Sequence, residues 1–142
     1  MRTLIAMGLA IGLLCGADKV QGEETMQGTW KLVSGEADGK ALTEKQLKDG
    51  KLVIKGDHYT VTLEGKGTST GVQKLDPKAK TKTIDIKDDS GPNKDKTCLG
   101  IYELKGDELH VAFAPTGKAR PSKFTTAPDS GHWMHVWKRV KE

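Results

Sequence analysis

Between Trp30 and Arg139 the apolar positions recur with a period of two, interrupted about every 8–12 residues by turn signals. Trp30 and Leu32 alternate with Lys31 and Val33, and Leu52 and Ile54 run into a Gly56-Asp57 turn. Tyr59, Val61 and Leu63 return with Thr60 and Thr62 on the opposite face, because successive strand side chains point to opposite sides. Gly65, Gly67 and Gly71 predict a loose hairpin, after which Val72 and Leu75 carry a strand into Asp76-Pro77. Ile84 and Ile86 alternate with Thr83, Asp85 and Lys87. Cys98, Gly100, Tyr102 and Leu104 share one face of the next strand, with Leu99 and Ile101 on the other. Lys105-Gly106-Asp107 closes a tight hairpin, and Leu109, Val111 and Phe113 come back on an apolar face.

One stretch departs from that period. Thr43 with Gln46 three residues on forms a capping box, Leu42 and Leu47 are spaced as a hydrophobic staple, and Gly50 is placed to stop a helix of one or two turns. Ala114 to Gly131 is a long connection bearing Pro115, Pro121 and Pro128, with a short strand expected at Ser122 to Thr126 and a last strand from His132 to Lys141. About eight strands joined by hairpins predict an antiparallel sandwich or an up-and-down barrel. Closure removes both sheet edges, and eight strands enclose an interior that side chains just fill or that holds one small ligand.

Residues 1–22 carry another pattern: Arg2, an apolar run from Leu4 to Leu14, then small residues at Gly16 and Ala17. That is the layout of a secretory signal, shorter than the ~20 apolar residues of a bilayer span. Cleavage after Ala17 and cleavage after Gly22 both satisfy the small-residue rule, which leaves residues 23–142 as one folded domain, exported to the periplasm or the medium. Cys15 offers a lipid-anchoring alternative, although Leu14 rather than a small residue precedes it; an anchor would tether the amino terminus without altering the fold. Without the leader only Cys98 remains, so no internal disulfide forms and the domain relies on its core. The formal charge is +4, from 23 basic and 19 acidic residues with signs mixed along the chain, a balance that favours solubility over a nucleic-acid partner.

Gly28-Thr29-Trp30 together with Arg139 resembles the lipocalin pattern, in which a Gly-x-Trp opens the first strand and a late Arg stacks on the indole to close the barrel floor. A longer ordered series covers nearly all of residues 23–142. Leu52-Val53-Ile54-Lys55-Gly56-Asp57, Lys74-Leu75-Asp76-Pro77 and Gly100-Ile101-Tyr102-Glu103-Leu104 follow Gly28-Thr29-Trp30, and then come Gly106-Asp107, Phe113-Ala114-Pro115 with Gly117, Arg120-Pro121 and Lys138-Arg139. This series resembles the planctomycete-expanded family of small, mostly exported, uncharacterised proteins with a lipocalin-like domain. The resemblance implies an eight-strand antiparallel up-and-down β-barrel with one short helix between the first two strands, structural roles for Gly28, Trp30 and Arg139, and an exported location. It implies no activity, substrate or catalytic residue.

The chemistry-bearing residues read blandly. His58, His110, His132 and His135 are the metal candidates, but an offset of three along a strand separates His132 from His135, and zinc needs ligands matched across strands. They read as surface or rim histidines, and no metal or cofactor is expected. Asp85, Asp88, Asp89, Asn93 and Asp95 lack the spacing and terminal Glu of a calcium loop, and Lys87, Lys94 and Lys96 intrude; a solvated loop is expected. Gly91 to Thr97 lacks the second glycine and the helix of a phosphate loop. Cys98 shares the apolar face and reads as a buried, inert thiol. Lys74, Lys78, Lys80 and Lys82 form a basic stretch without interleaved aromatics, suited to guarding a sheet edge. Trp133, His135, Trp137 and Arg139 share one face of the last strand and Met134, Val136 and Val140 the other, and the sequence leaves open which face points inward.

These residues predict a monomeric, non-enzymatic binding domain for a small, partly apolar molecule. The candidate lining is Tyr59, Val61, Tyr102, Leu109, Val111 and Phe113, with Trp30 beneath and the short helix as a lid. The alternative is a protein or polymer interaction module of the cell envelope, using the basic lysines or an outward Trp133/Trp137 patch. No catalytic constellation and no Gly-x-Ser-x-Gly elbow is present, and no membrane contact is expected unless Cys15 is lipidated.

Overall fold

In the computed structural model, which describes residues 26–91 and 93–141, strand follows strand in chain order. They are β1 (Gly28–Ala37), β2 (Lys40–Ala41), β3 (Lys51–Lys55), β4 (His58–Leu63), β5 (Gly67–Asp76), β6 (Thr83–Asp88), β7 (Thr97–Lys105), β8 (Glu108–Phe113) and β9 (Trp133–Arg139), with α1 (Glu44–Leu47) between β2 and β3. All pairings between neighbouring strands are antiparallel, and β9 returns to pair with β1, which closes an eight-stranded up-and-down barrel and leaves β2 as a short addition to the end of β1. The expected all-β barrel with its helix between the first two barrel strands is therefore present. The leader, its two cleavage positions and Cys15 lie outside the described residues.

Simple alternation fails in β1, and the failure shapes the interior. Leu32 pairs with Trp137, and the register then slips so that Ser34 meets Val136 and Gly35 meets His135. Such a bulge sets two residues against one and inverts the parity beyond it. Val33 becomes the extra residue and is 39% exposed. Trp30 and Leu32 face inward before the bulge, Gly35 and Ala37 after it.

The second departure is β5. The loose hairpin expected across Gly65, Gly67 and Gly71 is confined to the turn before Gly67, and Gly71 is a buried wall residue paired with Tyr59. Gly71 and Gln73, rather than Val72, supply the buried face of β5. A β-carbon at Gly71 would press on the Lys87 carbonyl oxygen and lie 2.5 Å from the Tyr59 hydroxyl oxygen, so only glycine fits between that backbone and the phenol.

At α1 the capping box forms as expected: the Gln46 amide donates to Thr43 Oγ1 (3.2 Å) and the Thr43 amide to Gln46 Oε1 (2.9 Å). The stop is not Gly50. Asp49 adopts the left-handed conformation (φ 58°), which a short polar side chain tolerates. Leu42 and Leu47 both pack against the barrel core.

One end of the barrel is sealed. Trp30 is fully buried, its Nε1 donates to the Met26 carbonyl (2.9 Å), and Met26 is itself fully buried. Arg139 lies over the indole, with Cζ 4.2 Å from the ring centroid. The guanidinium also donates to the Gln27 carbonyl (2.6 Å) and to Asp107 Oδ1 (3.2 Å). Gly28 meets this group with φ 123°, a backbone state open to glycine.

Residues 114–132 contain no strand; the short one expected at Ser122 to Thr126 does not form. The three prolines deny amides to a ladder, and the segment is instead pinned to the outer wall. Arg120 donates to Asp85 (2.6 Å) and to the Gly100 carbonyl (2.8 Å), Phe124 meets His110 edge-on, and the Thr126 amide donates to Glu36 (2.6 Å). The outward-facing Ile101, Ala112 and Val136 are buried, so this strap gives the barrel a small second apolar layer.

Candidate functional site

The opposite end is open. A cavity of about 440 Å³ runs inward from a rim formed by Asp38, α1, the β4–β5 turn, Asn93 and His132. Its deeper wall is aliphatic, with Leu52, Ile54, Ile84 and Leu109, and Trp137 closes one side. Leu42 and Gln46 border the cavity, which puts the short helix at the rim where a lid was expected.

Of the residues expected to line the interior, Tyr59, Val61, Leu109, Val111 and Phe113 do so. Tyr102 is buried but does not reach the cavity. Burial, followed by the nearby charge of Asp76 at the end of β5, holds its phenol pKa above the usual value. Trp30 sits below the cavity floor as part of the sealed end.

The last strand resolves the open question of its two faces. Trp133, His135 and Trp137 point inward, Trp133 stacking on Phe113 at 5.4 Å and 28°. No outward Trp133/Trp137 patch exists. His135 is not the surface or rim histidine expected: it is 9% exposed, edge-on to Trp137 at 5.6 Å. Burial, with the positive charge of Lys66 second, lowers its pKa to about 4, so the ring is neutral at pH 7. The other three histidines differ. His58 is exposed beside Asp57 (2.9 Å), His110 pairs with Glu108 on the outer wall (2.7 Å), and His132 is at the rim.

Asp88 also departs from expectation. It is the last residue of β6 rather than part of a solvated loop, it borders the cavity, and its carboxylate accepts a hydrogen bond from Tyr59 Oη. Burial and that bond raise the Tyr59 pKa, so the phenol stays protonated and its single donor is committed to Asp88. Asp89 instead accepts from Thr70. Asp88 continues the parity of Ile84 and Ile86, and His135 that of Trp133 and Trp137. A polar residue on an apolar face was the signal for both.

Gln73 is the remaining buried polar group, its Nε2 directed at Met26 Sδ (3.7 Å). Cys98 is buried with Sγ 3.5 Å from Thr116 Oγ1. Lys74, Lys78, Lys80 and Lys82 are exposed near the sealed end. Among the described residues no group of three or more His, Cys, Asp or Glu side chains is disposed to hold a metal ion. No protein-family model, no curated protein and no solved structure matches the chain.

Proposed function

We propose that this chain is an exported, lipocalin-like carrier or sensor domain that holds one small, partly apolar molecule in its barrel and performs no chemistry on it. The carrying observation is the cavity itself: about 440 Å³, open at one end and sealed at the other, apolar in depth with few polar groups. That volume falls in the ~300–1,000 Å³ range of small-molecule sites, and the balance of apolar wall to sparse polar contacts is the composition such sites have. Protein purified gently from its native host and sprayed intact for mass spectrometry tests the reading. A retained small molecule, or saturable binding from a lipophile panel, supports it; neither appearing sinks it.

A second reading is an interaction module of the envelope that engages an anionic polymer. Lys51, Lys31 and Lys138 stand directly opposite one another across β3, β1 and β9, all exposed. Like charges in register destabilise a sheet; Glu108 on β8 faces Lys138, but Lys31 stands between two lysines, and an anionic partner would relieve that repulsion. Salt-sensitive retention on a polyanion column, lost in a Lys31→Glu/Lys138→Glu variant, is the expected behaviour; passage through the column at low salt counts against it.

A further inference from the structure

The cavity wall holds a buried imidazole whose hydrogen-bonding capacity the protein leaves unused. His135 is nine-tenths buried, yet its ring nitrogens have no hydrogen bond or ion pair to any described residue. No side-chain nitrogen or oxygen among the described residues is both sealed and unpartnered, so the polar edge of this ring borders the open cavity. The ring is also held in place. Trp137 meets it edge-on at 84°, and the bulge in β1 sets Gly35 opposite it. A β-carbon there would lie 3.2 Å from His135 Cδ2, 2.9 Å from Leu42 Cδ1 and 2.5 Å from the Met134 carbonyl oxygen, so the bare backbone of Gly35 makes the space the imidazole occupies.

The charges around the cavity restrict what can use that ring. Among the described residues Asp38, Glu64 and Asp88 line it against Lys66, three carboxylates to one ammonium. Lys66 sits in the β4–β5 turn at the rim, two residues from Glu64, and the deeper wall carries no cation. A carboxylate ligand would leave water for a net negative lining. A neutral imidazole offers one donor and one acceptor and brings no charge to offset a carboxylate's.

We propose that the cavity takes an amphiphile, an alcohol, ketone or amide on an apolar body, whose polar atom hydrogen-bonds to His135, and that it discriminates against carboxylates. This rests on the reading of the barrel as a ligand carrier. The test is isothermal titration calorimetry at pH 7 with three matched probes: 4-phenylbutan-1-ol, 4-phenylbutanoate and n-butylbenzene. The alcohol is expected to bind about tenfold or more tighter than the carboxylate. His135→Phe is expected to weaken the alcohol about three- to tenfold, the size of one neutral hydrogen bond, and to leave n-butylbenzene unchanged. His135→Gln, which keeps a donor and an acceptor, is expected to retain alcohol binding. Carboxylate binding as tight as the alcohol overturns the selectivity, and an equal loss of alcohol and n-butylbenzene in His135→Phe overturns the role of His135, in each case with the carrier reading intact. Failure of all three probes to bind the folded wild type removes the carrier reading, and this inference with it.

Discussion

Replacing His135 by Gln should flatten the acid side of the stability profile, by an amount the burial of the ring sets. Burial and Lys66 lower the folded pKa of His135 from 6.5 to about 4. As the pH falls through 6.5 the unfolded chain takes up a proton at this site while the folded chain does not. Stability is therefore lost between about pH 6.5 and pH 4 and changes no further below the folded value. Over the interval from pH 7 to pH 4.5 the linkage amounts to about 2 kcal/mol for these two pKa values. His135→Gln removes the titration and retains the volume and polarity of the site. Carboxylates and the other histidines titrate alike in both proteins and cancel in the comparison. Urea unfolding followed by tryptophan emission, at pH 7 and pH 4.5, measures the difference: wild type should lose about 2 kcal/mol more than the variant. Equal losses would mean that the imidazole is protonated within the fold near its ordinary pKa, and the neutral, ligand-facing ring would be refuted.

Gly71→Ala should cost about 2–5 kcal/mol in the same assay. The β-carbon meets the Tyr59 phenol at 2.5 Å, which combines overpacking of ~1–3 kcal/mol with loss of the bond to Asp88, ~1.5–3 kcal/mol, less a ~0.4–1 kcal/mol gain from restricting the unfolded chain. The Lys87 carbonyl oxygen would lie closer still, so a Tyr59→Leu background should relieve only the phenol's share of that cost, and a double-mutant cycle showing no coupling would remove the phenol as a cause. Arg139→Met should destabilise by about 2–4 kcal/mol, since it removes the stacking on Trp30, worth ~0.5–2 kcal/mol, and the bond to the Gln27 carbonyl. Asp107 retains Lys141 at 3.1 Å in that variant, so a stranded carboxylate adds little, and a melting temperature within a degree of wild type would contradict the account of the sealed end.

How far the sequence reached depends on where alternation held. Tyr59, Val61, Leu109, Val111 and Phe113 keep strict parity on short hairpin strands, and their inward positions could be read directly. The bulge at Val33 could not. It arises where β1 must satisfy β9 along one edge and β3, then β2, along the other, a constraint in three dimensions that no local pattern carries. Gly71 looked like a turn residue because glycine favours turns; its role as clearance for Tyr59 lies in a cross-strand pair that the loose hairpin reading disconnected. Asp88 was grouped with the polar residues that follow it, although its parity belonged with Ile84 and Ile86. His135 shares its face with Trp133 and Trp137, but the opposite face is apolar too, so parity alone does not say which of them points inward and the ring reads as peripheral. The candidate cavity thus contains the expected lining residues apart from Tyr102, and the polar groups that would give it selectivity are the ones alternation alone passed over.

The central claim is that the open end of the barrel admits a small ligand. Ala37 lines that cavity on the last turn-facing position of β1, and Ala37→Trp fills the mouth without touching the sealed end. Calorimetric titration of wild type and Ala37→Trp with uncharged amphiphiles is the most direct measurement. The account predicts saturable one-to-one binding to the wild type and its loss in the variant at unchanged stability; no saturable binding by the folded wild type, or binding undiminished by the tryptophan, would contradict it.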